Sequence, residues 1–267
     1  MELQSLLAEM WIDYCSLNPS AHQIYKLLSA SENKILNDHI ALRTFKHPRL
    51  GIKQMAAVFE SLGYTEKKEY FFKEKRLYAK HYEHFDVTQP KIFISELLVE
   101  EFSGPVQKAI FEIIEQIPDS VIQSPKFCYS GRSWNISYQT YEMLASVSEY
   151  ASWVSSIGFR PNHFTVFVNY LESFKNIQQV NEFLEAHGYR LNTSGGKIKG
   201  TPSELLEQSS TIAELIPVQF NDGIFNVSGC FYEFARRYKD ESGKLYQGFI
   251  AASADKIFES TFKNKEE

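Results

Sequence analysis

Cysteine is scarce in this chain, and Cys15, Cys128 and Cys230 stand far apart. Without a CxxC pair they suggest neither a disulfide framework nor a thiolate zinc site, and they fit a reducing cytoplasm. No run of about 18 apolar residues occurs, so no membrane span is expected. Long basic runs are also missing, and a formal net charge of −5 argues against a nucleic-acid partner. The N-terminus opens on an acidic, amphipathic stretch, so no secretory leader is expected. No segment is of low complexity. Aromatic side chains, by contrast, are plentiful: 21 Phe and 15 Tyr among 267 residues read as a phenylalanine-rich core. That length suits one large domain, or two small units sharing a core.

The most informative feature is weak internal self-similarity. DHIALRTF (Asp38 to Phe45) and NHFTVFVN (Asn162 to Asn169) each put a histidine second in an alternating, strand-like run. Each leads into an amphipathic helix that ends in Gly-Tyr. Ile52, Met55, Val58, Phe59 and Leu62 form one helical stripe, and Ile177, Val180, Phe183, Leu184 and His187 repeat its spacing. Gly63 and Gly188 suit left-handed helix ends. Strands are expected at residues 65–72, 76–85 and 91–98, and again at 190–193, 213–220 and 229–238. The pattern is βαβββ twice, an α+β fold in which two modules form a curled sheet around a cleft. N-terminal helices (1–36) broken near Asn18-Pro19 precede the first module (37–100). A helical insert (101–160), with helices over 105–116 and 138–157 and a stop at Gly158, leads to the second module (161–240). A C-terminal segment (241–267) completes a single catalytic domain, its last residues from Lys263 reading as a frayed tail. The polar stretch 192–208 reads as a loop able to cover the cleft.

Side chains alternate faces along a strand. His39, Ala41, Arg43 and Phe45 therefore share one face, as do His163, Thr165, Phe167 and Asn169, and equivalent histidines should meet near the pseudo-twofold axis. Glu233, mid-strand among aromatic residues, is costly to bury unless paired or bound to a cation. His39, His163 and Glu233 thus form a candidate triad of metal ligands with open positions, suited to ferrous iron or to zinc. Arg43, on the face of His39, could clamp a substrate carboxylate through its fork, or pair with Glu96. Glu96 reads as the module-one counterpart of Glu233, in a supporting or substrate role. Lys197, with Lys199, could reach an anionic substrate from the covering loop, and Arg132 has similar standing. His81, His84, His22 and His47 read as surface or loop residues, and His187 as a packed helix end.

NDHIALRTF, FISELL, SEYASWVSSIGFRPNHFTVFVN, GGKIKG and YEFARR together resemble the DUF1338 family, from about Asn37 to Tyr238. That family is vicinal-oxygen-chelate-like, and its characterised branch comprises 2-oxoadipate dioxygenase/decarboxylases. The resemblance implies ferrous iron held by His39, His163 and Glu233, with Arg43 binding substrate. The implied reaction turns 2-oxoadipate and dioxygen into 2-hydroxyglutarate and carbon dioxide, in lysine catabolism. Characterised bacterial members are longer, so the metal site transfers more readily than the exact substrate. The competing expectations are an oxygen-independent metal-dependent isomerase or lyase, and a non-catalytic protein that binds a small ligand.

Overall fold

The structure, a computed structural model, describes residues 2–261. Helices α1 (Leu3–Leu17) and α2 (Pro19–Ser29) part at Asn18, because proline suits a helix's first turn and not its interior. Module one comprises β1 (Asn37–Phe45), α3 (Ile52–Ser61), β2 (Tyr64–Phe72), β3 (Leu77–His84) and β4 (Lys91–Leu97). The insert carries α4 (Gly104–Glu115), α5 (Asp119–Ile122), α6 (Tyr138–Ala145) and α7 (Glu149–Ile157). Module two comprises β5 (Pro161–Phe167), α8 (Ile177–Ala186), β6 (Lys199–Thr201), β7 (Leu206–Ser210) and β10 (Phe231–Arg237). A hairpin, β8 (Leu215–Phe220) and β9 (Gly223–Ser228), is let in before β10, and α9 (Ala251–Phe258) follows it.

Eight strands form one sheet in the order β2-β3-β4-β1-β5-β10-β7-β6. The order is palindromic by module. β1 and β5 pair antiparallel at the centre, each flanked on its other side by a parallel partner, β4 or β10. This is the expected pair of βαβββ modules in one sheet. The helices cover the outer face: α3 buries Ile52, Met55, Ala56 and Phe59, and α8 buries Ile177, Val180 and Leu184. Each such aliphatic side chain contributes about 1.5–3 kcal/mol when fully buried. At the central seam Phe164 packs edge-on against Trp11 of α1, ring centroids 5.0 Å apart.

Several expected elements are corrected. Residues 190–193 make only an isolated bridge, Leu191 to Thr211, and the 213–220 strand belongs to the β8–β9 hairpin instead of the main sheet. The missing strands lie in the polar stretch read as a loop, as β6 and β7. Two shorter helices replace one over 138–157, since Ser148 breaks the run and its side chain caps α7 at Ala151 N. The cover comes from the C-terminal segment: α9 packs against both edge strands, β2 and β6, and so joins the two rims. His187 is exposed. The tail from Lys263 lies outside the described residues.

Gly158 ends α7 as expected, at φ +86°, and a Cβ there would lie 2.3 Å from the Gly131 carbonyl. Gly158→Ala should therefore lower stability by more than about 2 kcal/mol, since it combines left-handed strain with a backbone clash. A urea unfolding midpoint equal to that of the parent would contradict this.

Candidate metal centre

β1 and β5 run antiparallel with Ala41 opposite His163 and Thr165 opposite His39. That register leaves the two histidines one step apart on the concave face. Their Nε2 atoms approach to 3.4 Å, with ring planes at 86°. β10, parallel to β5, sets Glu233 beside Thr165. Glu233 Oε2 lies 3.1 Å from His163 Nε2, and Oε1 lies 3.5 Å from His39 Nε2. All three residues are buried. They form a group able to hold a metal ion.

The spacing fits that purpose. Donors about 2.1 Å from one ion and at right angles to one another stand about 3 Å apart, close to the separations seen. Protonation states agree as well. Burial lowers the pKa of both imidazoles, His163 further because His39 and Arg43 add positive charge. Both rings are therefore neutral and keep lone pairs to offer. Burial raises the Glu233 carboxyl to about 8, against the opposing hydrogen bond from Gln208. Glu233 Oε2 has no hydrogen-bond partner among the described residues. A carboxylate so placed is stabilised by a cation.

Each histidine is steered by the residue before it. His39 Nδ1 lies 2.8 Å from Asp38 Oδ1, and His163 Nδ1 lies 3.1 Å from Asn162 Oδ1. Carbonyl or carboxylate acceptors on Nδ1 put its proton there and turn Nε2 into the cleft. Burial would raise the pKa of Asp38, but the Arg237 guanidinium and the His39 contact outweigh it and hold the group well below the usual range. Arg237 grips Asp38 through Nε and Nη2 at 2.6 and 2.8 Å. Its Nη1 donates to the carbonyls of Tyr246 and Gly248. That bond fixes the segment carrying Phe249, whose ring stands edge-on to His39 at 4.8 Å.

Arg43 lies on the same concave face, 1% exposed, with Nη1 donating to Glu149 of α7 at 2.9 Å. Tyr150, Trp153 and Phe258 wall the guanidinium at 5.0–5.4 Å. Its Nε and Nη2 have no hydrogen-bond partner among the described residues.

Other candidates lie elsewhere. Glu96 is on the opposite face of β4, where Oε2 accepts from Ile52 N at the start of α3. The strand register makes Phe93, not Glu96, the counterpart of Glu233: Phe93 pairs with Ala41 and Glu233 with Thr165, each two residues along from the residue paired with a histidine. Lys197 points outward to Glu185 at 2.6 Å. Arg132 donates to the Gln219 and Ser156 carbonyls and so ties the insert to β8. His81, expected at the surface, is buried between Tyr70 and Glu83. Sequence reasoning missed Asp38, Asn162, Gln208 and Glu149. The first two had a signal, an Asx residue before each repeated histidine. Gln208 sat in a polar run taken for a loop.

Fold and cluster together define a class: a two-module half-barrel with a metal-competent group of two histidines and a glutamate at its module seam. The chain belongs to the 2-oxoadipate dioxygenase/decarboxylase family, which matches residues 9–126 and 126–240. It is 34% identical to the chloroplastic 2-oxoadipate dioxygenase/decarboxylase of Arabidopsis thaliana, over 98% of this chain and 78% of that protein. A Shewanella frigidimarina crystal structure, provisionally described as a hydrolase, is 49% identical with a TM-score of 0.91 and covers 94% of this chain and 98% of its own. The hydroxyglutarate synthase of Oryza sativa, crystallised with 2-oxoadipate, is 32% identical with a TM-score of 0.87, over 96% and 91% of the two chains. No helix among the described residues is long and apolar enough to cross a membrane.

A carboxyl raised to about 8 holds its proton at neutral pH in the metal-free protein, and a bound ion must displace it. Below that pH, uptake of a divalent ion should release about one proton, and affinity should climb roughly tenfold per pH unit before levelling. Calorimetric titration in buffers of different ionisation enthalpy measures this. Proton-free binding at pH 6.5 would show that the carboxylate is already ionised.

Proposed function

We propose that this chain is an iron(II)-dependent dioxygenase/decarboxylase of a 2-oxo dicarboxylic acid. Its reaction would be 2-oxoadipate and dioxygen to 2-hydroxyglutarate and carbon dioxide, within one catalytic domain. The observation that carries this is the convergence of His39, His163 and Glu233 in a chain of this family. Held by those three residues, ferrous iron would supply binding of the oxo acid and activation of dioxygen, with three positions left for them. Zinc accepts the same ligands but has no redox chemistry, so metal analysis of protein purified under reducing conditions separates this reading from an isomerase or lyase.

The remaining work falls to the chain's own side chains. Arg43 presents its free Nε–Nη2 edge, the edge that matches a carboxylate bidentately, while Glu149 holds Nη1. The aromatic walls around it leave little water to compete, which strengthens that pairing. Phe231, stacked on His163 at 4.6 Å, and Phe249, against His39, exclude solvent from the reacting centre. The Asp38 and Asn162 contacts keep the imidazoles aimed through binding and release. Free cysteines fit a reducing compartment, and the cytoplasm is the natural one.

Protein loaded anaerobically with ferrous iron and given 2-oxoadipate should, on admission of oxygen, consume one O₂ per CO₂ and 2-hydroxyglutarate formed. Arg43→Met should raise KM for 2-oxoadipate by about a hundredfold or more while leaving metal content unchanged. Oxygen uptake absent with every C4 to C7 oxo acid would refute the activity, and an unchanged KM would remove Arg43 from substrate binding.

A further inference from the structure

Gln208 stands beside the metal-competent group with an unusual pair of contacts. It lies on β7 directly opposite Ala235, whose small side chain lets the longer amide lean along β10 to Glu233. Its Nε2 donates to Glu233 Oε1 at 2.6 Å, yet its own Oε1 has no partner among the described residues, and the side chain is 2% exposed. Glu233 Oε2 is likewise unpartnered. A buried polar atom left without a partner costs about 1–3 kcal/mol, so the cleft favours an occupant that pairs with these two oxygens.

The two oxygens of Glu233 are thus not equivalent. One is held by a donor, and the other is free on the side of His163. We propose that Gln208 is a positioning residue that restricts Glu233 to a single coordinating oxygen, Oε2, by occupying Oε1. This rests on the metal reading above and specifies the posture of one ligand within it. The restriction matters for capacity. A carboxylate that binds through both oxygens fills one more position on the ion. An oxo acid bound through two oxygens, together with dioxygen, needs the three positions that two histidines and a one-oxygen glutamate leave. The unpartnered Gln208 Oε1 then faces the cleft as an acceptor for a hydrogen carried by a water or by the hydroxy-acid product.

The test uses cobalt(II) as a spectroscopic probe in the full chain. Gln208→Leu removes the donor at similar volume, and Gln208→Met, unbranched and of similar length, serves if the first does not fold. The expected result is a visible absorption spectrum that differs from the parent's, reporting the second Glu233 oxygen among the ion's ligands. Cobalt affinity should fall 10–100-fold by chelator competition, and 2-oxoadipate affinity of the cobalt form at least tenfold, with circular dichroism unchanged. A parental spectrum together with both affinities within twofold would overturn the assignment of Gln208. A parent that takes up no cobalt, or a His163→Ala variant that binds it as tightly, would instead overturn the metal centre, and this inference with it.

Discussion

The antiparallel pairing of β1 with β5 is the contact on which the rest depends. It joins the modules into one sheet, sets the pseudo-twofold axis, and brings two histidines 124 positions apart to within 3.4 Å. A slip of one residue would turn one imidazole to the helical face and leave the other without a partner. The register is secured from both sides of the sheet. On the outer face Ile40, Leu42, Phe164 and Val166 are buried under helices. On the inner face Thr165 Oγ1 meets His39 Nε2 at 3.2 Å.

Symmetry stops at the third member of the metal-competent group. Where module two has Glu233, module one has Phe93, which packs with Phe249 at 5.0 Å. The centre is therefore polar on one side and aromatic on the other. The histidines are unlike too, because Asp38 gives His39 a charged acceptor while Asn162 gives His163 a neutral one. Charge-assisted contacts of this kind are the stronger ones and make the ring they touch the better electron donor. A duplicated scaffold thus carries an asymmetric centre, and the asymmetry rests on two differences between the modules, Glu233 against Phe93 and Asp38 against Asn162.

Much of this was legible in the chain. Repeated histidines in alternating runs announced paired strands, and the helical stripes of α3 and α8 gave the modules. Glu233 stood out because a mid-strand carboxylate among aromatics needs a reason. β6 and β7 were hidden because their inward side chains, Gln208 and Ser210, are polar: strands lining a polar cleft invert the usual pattern and read as loop. Glu96 misled for a related reason. Similar strand endings suggested equivalence, but faces alternate, and Glu96, an odd three residues beyond Phe93, falls on the face against α3. Neither Glu149 nor the C-terminal cover could be inferred locally, since both depend on how distant segments pack.

The same pairing has a consequence for the nascent chain. Synthesis runs from the N-terminus, and His39 emerges long before its partners His163 and Glu233. No partial product ending within the insert can assemble the three-residue centre, however well module one has formed. The cover comes later still, because Phe249 and α9 follow β10 in sequence. The three-residue group is thereby completed only once β10 has been made, so no metal ion can be held by all three side chains before the second module is formed.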